Sequence, residues 1–330
     1  MDHHAAHLWV DMLNAFRALG GTAENICLGD GPFGRGLFPC DPSKPFRLRV
    51  PDPLLVEVKY IRFPDNVFRL SPAAPVGARE RGFLENYQRL FSWGTSRGPT
   101  EDLLRMTHDT PETLREFLRS VFDFELWLAD PTPENVQERY FSSRYITYKG
   151  RGVVMPIVEL ANHGRGCLYE REDGVGLSGR LSGEILARYG FTDALDILNN
   201  WGFASGDQPF ALSLRMEVQG RSGVLVIGRG DVSTDAGREP FVPDVAMDGN
   251  RMTLSCLMVG HREHPSLARD IFRRVLHNAG WDDADALFDK ILDYNRTQFE
   301  RLAIAAADAP PALAEMLRSV ARSHLDAIGK

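Results

Sequence analysis

The chain changes texture twice, and the order of those textures limits what it can fold into. Short apolar runs punctuated by Gly and Pro come first: Ile26 to Leu28, Gly36 to Phe38, Phe46 to Val50 and Leu54 to Val58 read as short strands joined by tight turns. From about Asp65 to Gln137 the pattern is helical. Its clearest segment is predicted to begin at Thr110-Pro111, an N-cap with proline at the first helical position, and to bury Leu114, Phe117, Leu118, Val121 and Phe122. Strands return at Val153 to Leu160, Gly166 to Tyr169 and Leu181 to Ala187, with the Gly-rich stretch Gly174 to Gly183 between the last two. Strands, a helical block and strands again predict one β domain into which the helices are inserted.

Two further regions flank this domain. Leu8, Met12, Phe16 and Leu19 recur at helical spacing and stop at Gly20-Gly21, which predicts an opening amphipathic helix from about Ala5 to Leu19. After Ala204, strands are expected at Phe210 to Val218, Val224 to Ile227 and Met252 to Met258, followed by helices. Their buried stripes are Leu267, Ile271, Val275 and Leu276, then Leu287, Ile291, Leu292, Phe299 and Leu302. An Ala-rich linker at Ala303 to Ala309 leads to a last helix after Pro310-Pro311. The expected division is a β domain at 1-204, with its insertion at about 65-140, and a mostly α lobe at 205-330. At 330 residues the chain exceeds what one hydrophobic core usually serves.

Composition narrows the class of partner. A formal charge of -7 argues against sequence-independent binding to nucleic acid, which relies on Lys and Arg neutralising phosphates. Cys27, Cys40, Cys167 and Cys256 contain no CxxC, so neither a zinc knuckle nor a disulfide framework is expected, and reduced thiols are the simplest reading. The start, Met1-Asp2-His3-His4, lacks a signal-peptide pattern. No apolar run approaches the roughly 20 residues that span a bilayer. The expectation is a soluble, cytoplasmic protein without a membrane partner.

Several short motifs have ordinary explanations. Gly29-Asp30-Gly31-Pro32-Phe33-Gly34 satisfies GxGxxG, but a dinucleotide site needs a helix opening at the third glycine, and Arg35-Gly36-Leu37-Phe38-Pro39 reads as a strand ended by proline. Arg229-Gly230-Asp231 reads as a turn and Asn295-Arg296-Thr297 as part of a helix face. His261 with His264, and His3, His4 and His7, lack a third ligand at a recognisable spacing, so no metal site is expected. Asn162-His163 closes the apolar run Val153 to Ala161, which by itself describes a polar turn after a strand.

The order of these pieces resembles SET-domain protein-lysine methyltransferases, in the branch typified by the Rubisco large-subunit methyltransferase. The likeness covers nearly the whole chain. Leu8-Trp9-Val10-Asp11-Met12-Leu13 ending at Gly20-Gly21 is similar to that branch's opening helix, Gly34-Arg35-Gly36-Leu37-Phe38 to its "G-x-G-L/V" strand, and Leu48 to Leu55 to its "I-P-x-x-L-L" segment. Ser143-Arg144 resembles the "S-R" that closes the insertion, and Pro156 to His163 resembles "P-x-x-D-x-x-N-H". Gly183-Glu184-Ile185 to Tyr189 resembles "G-E-E-I-x-x-x-Y", and Trp201-Gly202-Phe203 stands for "Y-G-F". Glu159, Gly164 and Trp201 depart from the family's Asp, Ser and Tyr.

The resemblance implies an α+β protein: a pseudoknotted SET β fold of short strands, an inserted helical block and a helical substrate-binding lobe. It implies S-adenosylmethionine as cofactor and methyl transfer to a lysine side chain of a protein. Gly34, Arg35 and Gly36 would approach the cofactor, Arg144 would hold its carboxylate, and Asn162 and His163 would bond its adenine or amino-acid portion. Trp201 or Phe203 would stack on the adenine. Tyr189 is the candidate catalytic residue, and Tyr145 and Tyr169 the candidate channel walls. Two alternatives stay open: the same cofactor used on a small amine or metabolite, and a cofactor-binding interaction module without catalysis.

Overall fold

A computed structural model describes residues 3–206, 208–230 and 241–329. It mixes helices with many short strands and divides into two compact units. One is the chain up to Glu101 together with Thr132–Tyr189; the other is Asp102–Pro131 together with the chain from Gly190 onward. The expected helical insertion is thereby shared, since residues 102–131 pack with the C-terminal part.

In chain order the first half carries α1 (His3–Ala18), β1 (Thr22–Glu24), β2 (Cys27–Gly31), β3 (Gly34–Phe38), β4 (Phe46–Val50), and the two-residue strands β5 (Val56–Glu57), β6 (Ile61–Arg62) and β7 (Arg69–Leu70). Helices follow: α2 (Ala78–Phe91), α3 (Trp93–Ser96), α4 (Gly98–His108), α5 (Glu112–Phe122) and α6 (Pro133–Ser142). Then come β8 (Tyr145–Tyr148), β9 (Arg151–Val154), β10 (His163–Cys167) and β11 (Val175–Gly179). Helix α1 buries Trp9 and Leu13 beside the expected Met12 and Phe16, while Leu8 is half-buried and Leu19 lies past the helix end. The strands form small antiparallel sheets, ordered β1-β4-β11 and β5-β9-β8, plus the hairpins β2-β3 and β6-β7. Phe63, Phe68, Trp93, Tyr140 and Phe141 pack ring on ring in this unit.

Several expected elements are corrected. The strand predicted at Val153 to Leu160 stops at Val154: Pro156 cannot donate to a ladder, Ile157 turns to φ +70, and Val158–Leu160 forms a 3-10 turn. The run is apolar because that turn is buried, which periodicity cannot distinguish from a buried strand. Leu181 to Ala187 is not a strand either; Ala187 makes isolated bridges to His163 and Cys167. The Gly-rich stretch instead contains β11, which pairs with β4 along its length. A Cβ on Gly176 would lie 2.6 Å from the Leu48 carbonyl oxygen, so glycine there is what lets the backbones approach. At α5 the N-cap is Pro111, and Thr110 instead donates its hydroxyl to the Met106 carbonyl at the end of α4.

The thiol expectation is also corrected: Cys27 and Cys40 form a disulfide, while Cys167 and Cys256 are free. Cys27 faces Phe38 across the β2-β3 hairpin, so the register carries Cys40 back to it. A sequence separation of 13 hid that neighbourhood.

The second unit contains α5, α7 (Ala194–Trp201), β12 (Phe210–Leu212), β13 (Met216–Gln219), β14 (Val224–Ile227), β15 (Val245–Asp248), β16 (Arg251–Leu254), β17 (Met258–His261), α8 (Leu267–Asn278), α9 (Ala284–Ala305) and α10 (Pro311–Ile328). The lobe expected to be mostly α therefore also holds a four-stranded sheet, β13-β14-β16-β15, and a β12-β17 pair. All four residues of β15 are exposed, so no alternation marked it. The expected Ala-rich linker is helical, since α9 runs to Ala305 and a 3-10 turn follows. Asn295 of the sequon-like tripeptide is fully buried, bonded to Ser213 Oγ and the Leu214 amide; Asp231 lies outside the described residues. No helix among the described residues is long and apolar enough to cross a membrane.

Candidate functional site

The glycine motif is the tip of a hairpin. Gly31 pairs with Gly34 and Gly29 with Gly36 around Pro32-Phe33, Gly34 takes φ +88, and β3 rather than a helix follows. On one face the space a side chain would take is filled by Glu184. A Cβ on Gly36 would lie 2.1 Å from Glu184 Oε1 and 2.7 Å from Asn162 Nδ2, and one on Gly31 would lie 2.5 Å from Glu184 Oε2. Asn162 Nδ2 donates to Glu184 Oε1 at 2.6 Å and to the Arg35 carbonyl at 3.3 Å, tying hairpin, turn and the 183–185 segment together. Glu184 Oε2 is buried without a hydrogen-bond partner among the described residues.

The opposite face borders a hollow of about 500 Å³ between the hairpin and helices α1 and α2. Leu8, Leu28, Leu90 and Phe91 make it apolar, and Asp30 and Arg35 stand at its edge. Arg35 is held by α3, its Nη2 donating to Thr95 Oγ1 at 2.9 Å and Ser96 Oγ at 3.2 Å.

Asn162 and His163 follow the 3-10 turn and open β10. The Asn162 carbonyl accepts the Ala187 amide at 2.8 Å, which carries the chain past His163 to Tyr189. Tyr189 donates its hydroxyl to the Ala161 carbonyl at 3.0 Å, and its amide donates to His163 Nδ1 at 3.4 Å. The His163 and Tyr189 rings meet edge to face at 5.0 Å, and Tyr169 lies nearly parallel to Tyr189 at 6.5 Å. Burial pushes the Tyr189 phenol up to about 12 and Tyr169 well above the usual value, so both are neutral hydroxyls at neutral pH. Neither is a general base there.

Behind this pair lies a buried polar layer that sequence reasoning missed. Glu159 is 9% exposed and accepts from Gln88 Nε2 at 3.0 Å, while Ser92 Oγ and the Tyr140 hydroxyl are 2.9 Å apart. Burial raises the Glu159 carboxyl against the pull of Arg144. The Arg144 guanidinium lies 3.8 Å over the Tyr140 ring, with Nη1 donating to Ser143 Oγ at 3.0 Å and the Tyr140 carbonyl at 3.3 Å. A carboxylate inside the apolar run Val153 to Ala161 was the available signal.

Gly34 to Gly36, Arg144, Asn162, His163, Tyr169 and Tyr189 thus share the first unit. Tyr145 is in that unit but 41% exposed on β8 against Gly152, and no ring contact links it to Tyr169 or Tyr189 among the described residues. Trp201 ends α7 and Phe203 follows it, both in the second unit. Among the described residues no group of three or more His, Cys, Asp or Glu could hold a metal ion.

No protein-family model matches the chain, and no curated protein sequence matches it. Solved structures similar to it include one described as Rubisco LSMT bound to AdoMet, at 11% identity and TM-score 0.45, over 98% of this chain and 89% of that one. Another, described as Rubisco LSMT bound to sinefungin and monomethyllysine, is 12% identical with TM-score 0.43, over 99% and 90%. A third, described as the SET domain of LSMT bound to lysine and AdoHcy, is 12% identical with TM-score 0.42, also over 99% and 90%.

Proposed function

We propose that this protein is an S-adenosylmethionine-dependent N-methyltransferase acting on an amine, with a protein lysine side chain as the acceptor. The observation that carries the reading is the convergence, within one unit, of the Gly31-Gly36 hairpin, the Asn162-Glu184 bond and the His163-Tyr189 pair. These are the segments whose order resembles the SET methyltransferases.

The residues fit the cofactor. The unpartnered Glu184 oxygen above the hairpin suits a donor such as the cofactor's ammonium group, and Arg144 Nε and Nη2, which make no hydrogen bond among the described residues, suit its carboxylate. When bound, the cofactor would supply an electrophilic methyl group. A lysine acceptor must first lose its proton, which near neutral pH costs about 4 kcal/mol at roughly 1.36 kcal/mol per unit. Desolvation against the Tyr169 and Tyr189 rings lowers that cost by disfavouring the ammonium form. Tyr189, pinned by Ala161, orients the neutral amine for in-line attack rather than removing its proton.

Calorimetric titration with S-adenosylmethionine is expected to give saturable binding, and its absence would overturn the reading. Incubation of labelled cofactor with lysate is then expected to mark a protein band. Label confined to small molecules would replace the lysine acceptor with a small amine. Binding without label anywhere would leave a non-catalytic module.

A further inference from the structure

The second unit carries a polar cavity of its own. It encloses about 210 Å³ beside the first turns of α7, walled by Leu126, Phe191, Thr192, Asp196, Asn199 and Arg215 among other residues. That exceeds the roughly 150 Å³ that admits a benzene, so a ligand of several heavy atoms has room.

Its polar wall mixes donors and acceptors. Arg229 has four of its five N–H bonds committed: Nε to Asp196 Oδ1 at 2.8 Å, Nη1 to the carbonyls of Leu212 and Ser213 at 3.2 and 3.1 Å, and Nη2 to Asp193 Oδ1 at 2.5 Å. Arg215 is paired through Nε with Asp123 at 2.7 Å and its side chain is largely exposed. Several buried acceptors are open. The second carboxylate oxygen of Asp196 accepts nothing among the described residues. Asn199 is 9% exposed; its Nδ2 donates to the Phe122 carbonyl at 2.8 Å, and its Oδ1 has no donor among the described residues. Thr192 Oγ1 is also buried without a partner among the described residues. Asp193 and Asp196 set two carboxylates against the one Arg229 guanidinium, with the His324 ring on the far side of Asp193 at 2.8 Å. An anion would face Asp196, and a neutral guest would leave the surplus of two carboxylates over one guanidinium uncompensated.

We propose that this cavity binds a small organic ammonium ion, which donates to Asp196 and Asn199 and lays its carbon chain against Phe191 and Leu126. Burial lifts the Asp196 carboxyl to about 6, with Arg229 opposing and Asp193 adding to the rise. The cation favours the ionised carboxylate, so binding weakens as the pH falls below that value.

Butylammonium chloride titrated into the whole protein at about pH 7.5, followed by NMR shifts, is expected to bind saturably, while butanol and butyrate of matching size do not. Asp196→Asn should weaken binding about tenfold, the value of a charge-assisted bond. Thr192→Val, which breaks no bond among the described residues, should weaken it about threefold with circular dichroism unchanged. It keeps the test open if Asp196→Asn fails to fold. No saturation by about 50 mM, where a millimolar site is filled, overturns the proposal. Equal binding of butanol, or affinity unchanged in both variants, does the same.

Discussion

Glu159 buries a carboxylate beside Gln88, and burial raises its pKa against the opposing pull of Arg144. Because its folded pKa is raised above 4.5, its stabilising contribution is present at and below that pH and is lost as pH rises through the folded value. Glu159→Gln keeps the acceptor for Gln88 and removes the titration. Its melting temperature should match the parent's near pH 4 and exceed it near pH 8; a parallel pH profile would refute the assignment. The Tyr189 hydroxyl donates to the Ala161 carbonyl, and losing that bond in Tyr189→Phe should cost about 1 kcal/mol in denaturant unfolding. Turnover should fall about a hundredfold through misorientation, and unchanged turnover would remove Tyr189 from the reaction. Asn162, His163 and Tyr189 were legible in the sequence because each ends or follows a distinctive run. Glu159 was not, because its role depends on Gln88, which is 71 residues away.

Hairpin β2-β3 is an element whose glycines have two different jobs. Gly34 supplies a left-handed turn, and Gly36 leaves the space that Glu184 and Asn162 enter. Gly36→Ala should therefore expel Glu184 from its position. Cofactor affinity is expected to drop about tenfold or more, with smaller loss from Gly34→Ala, whose Cβ would meet nothing within 4 Å. Equal losses would show that turn conformation, not the Glu184 contact, controls the site. The disulfide closes the same hairpin, and thiol titration of the unfolded, unreduced protein should count Cys167 and Cys256 only. Strands β4 and β14 were read at their observed bounds because they combine β-branched or aromatic residues with clear flanking turns. Strands β11 and β15 escaped for opposite reasons: one is built on glycines that suit close pairing, and the other has no buried face.

At the scale of the whole molecule, the chain leaves one compact unit after Tyr189 and is secured in the other by Asp193 almost at once. Asp193 is fully buried and collects four bonds: it caps α7 through the Asp196 amide at 2.9 Å, accepts the β12 amide of Leu212 at 2.8 Å, pairs with Arg229, and receives His324 of α10. Burial alone would raise its carboxyl, but Arg229 and then His324 outweigh it and hold the group well below the usual carboxylate range. The lowered folded value means this contribution is present above pH 3.8 and lost as the pH falls below it. Asp193→Asn leaves Arg229 paired with Asp196 but turns one accepting oxygen into a donor, so a charge-assisted bond worth about 1.5–3 kcal/mol is lost. The substitution should therefore lower the stability of the second unit by about that amount near neutral pH. Hydrogen exchange read residue by residue gives the sharper test, because the substitution touches α7, β12 and α10 directly. Amides of those three elements should lose protection, while those of β2, β3 and β4 keep theirs. If protection instead fell equally in both sets, the two units would open as one, and Asp193 would be a determinant of global rather than local stability.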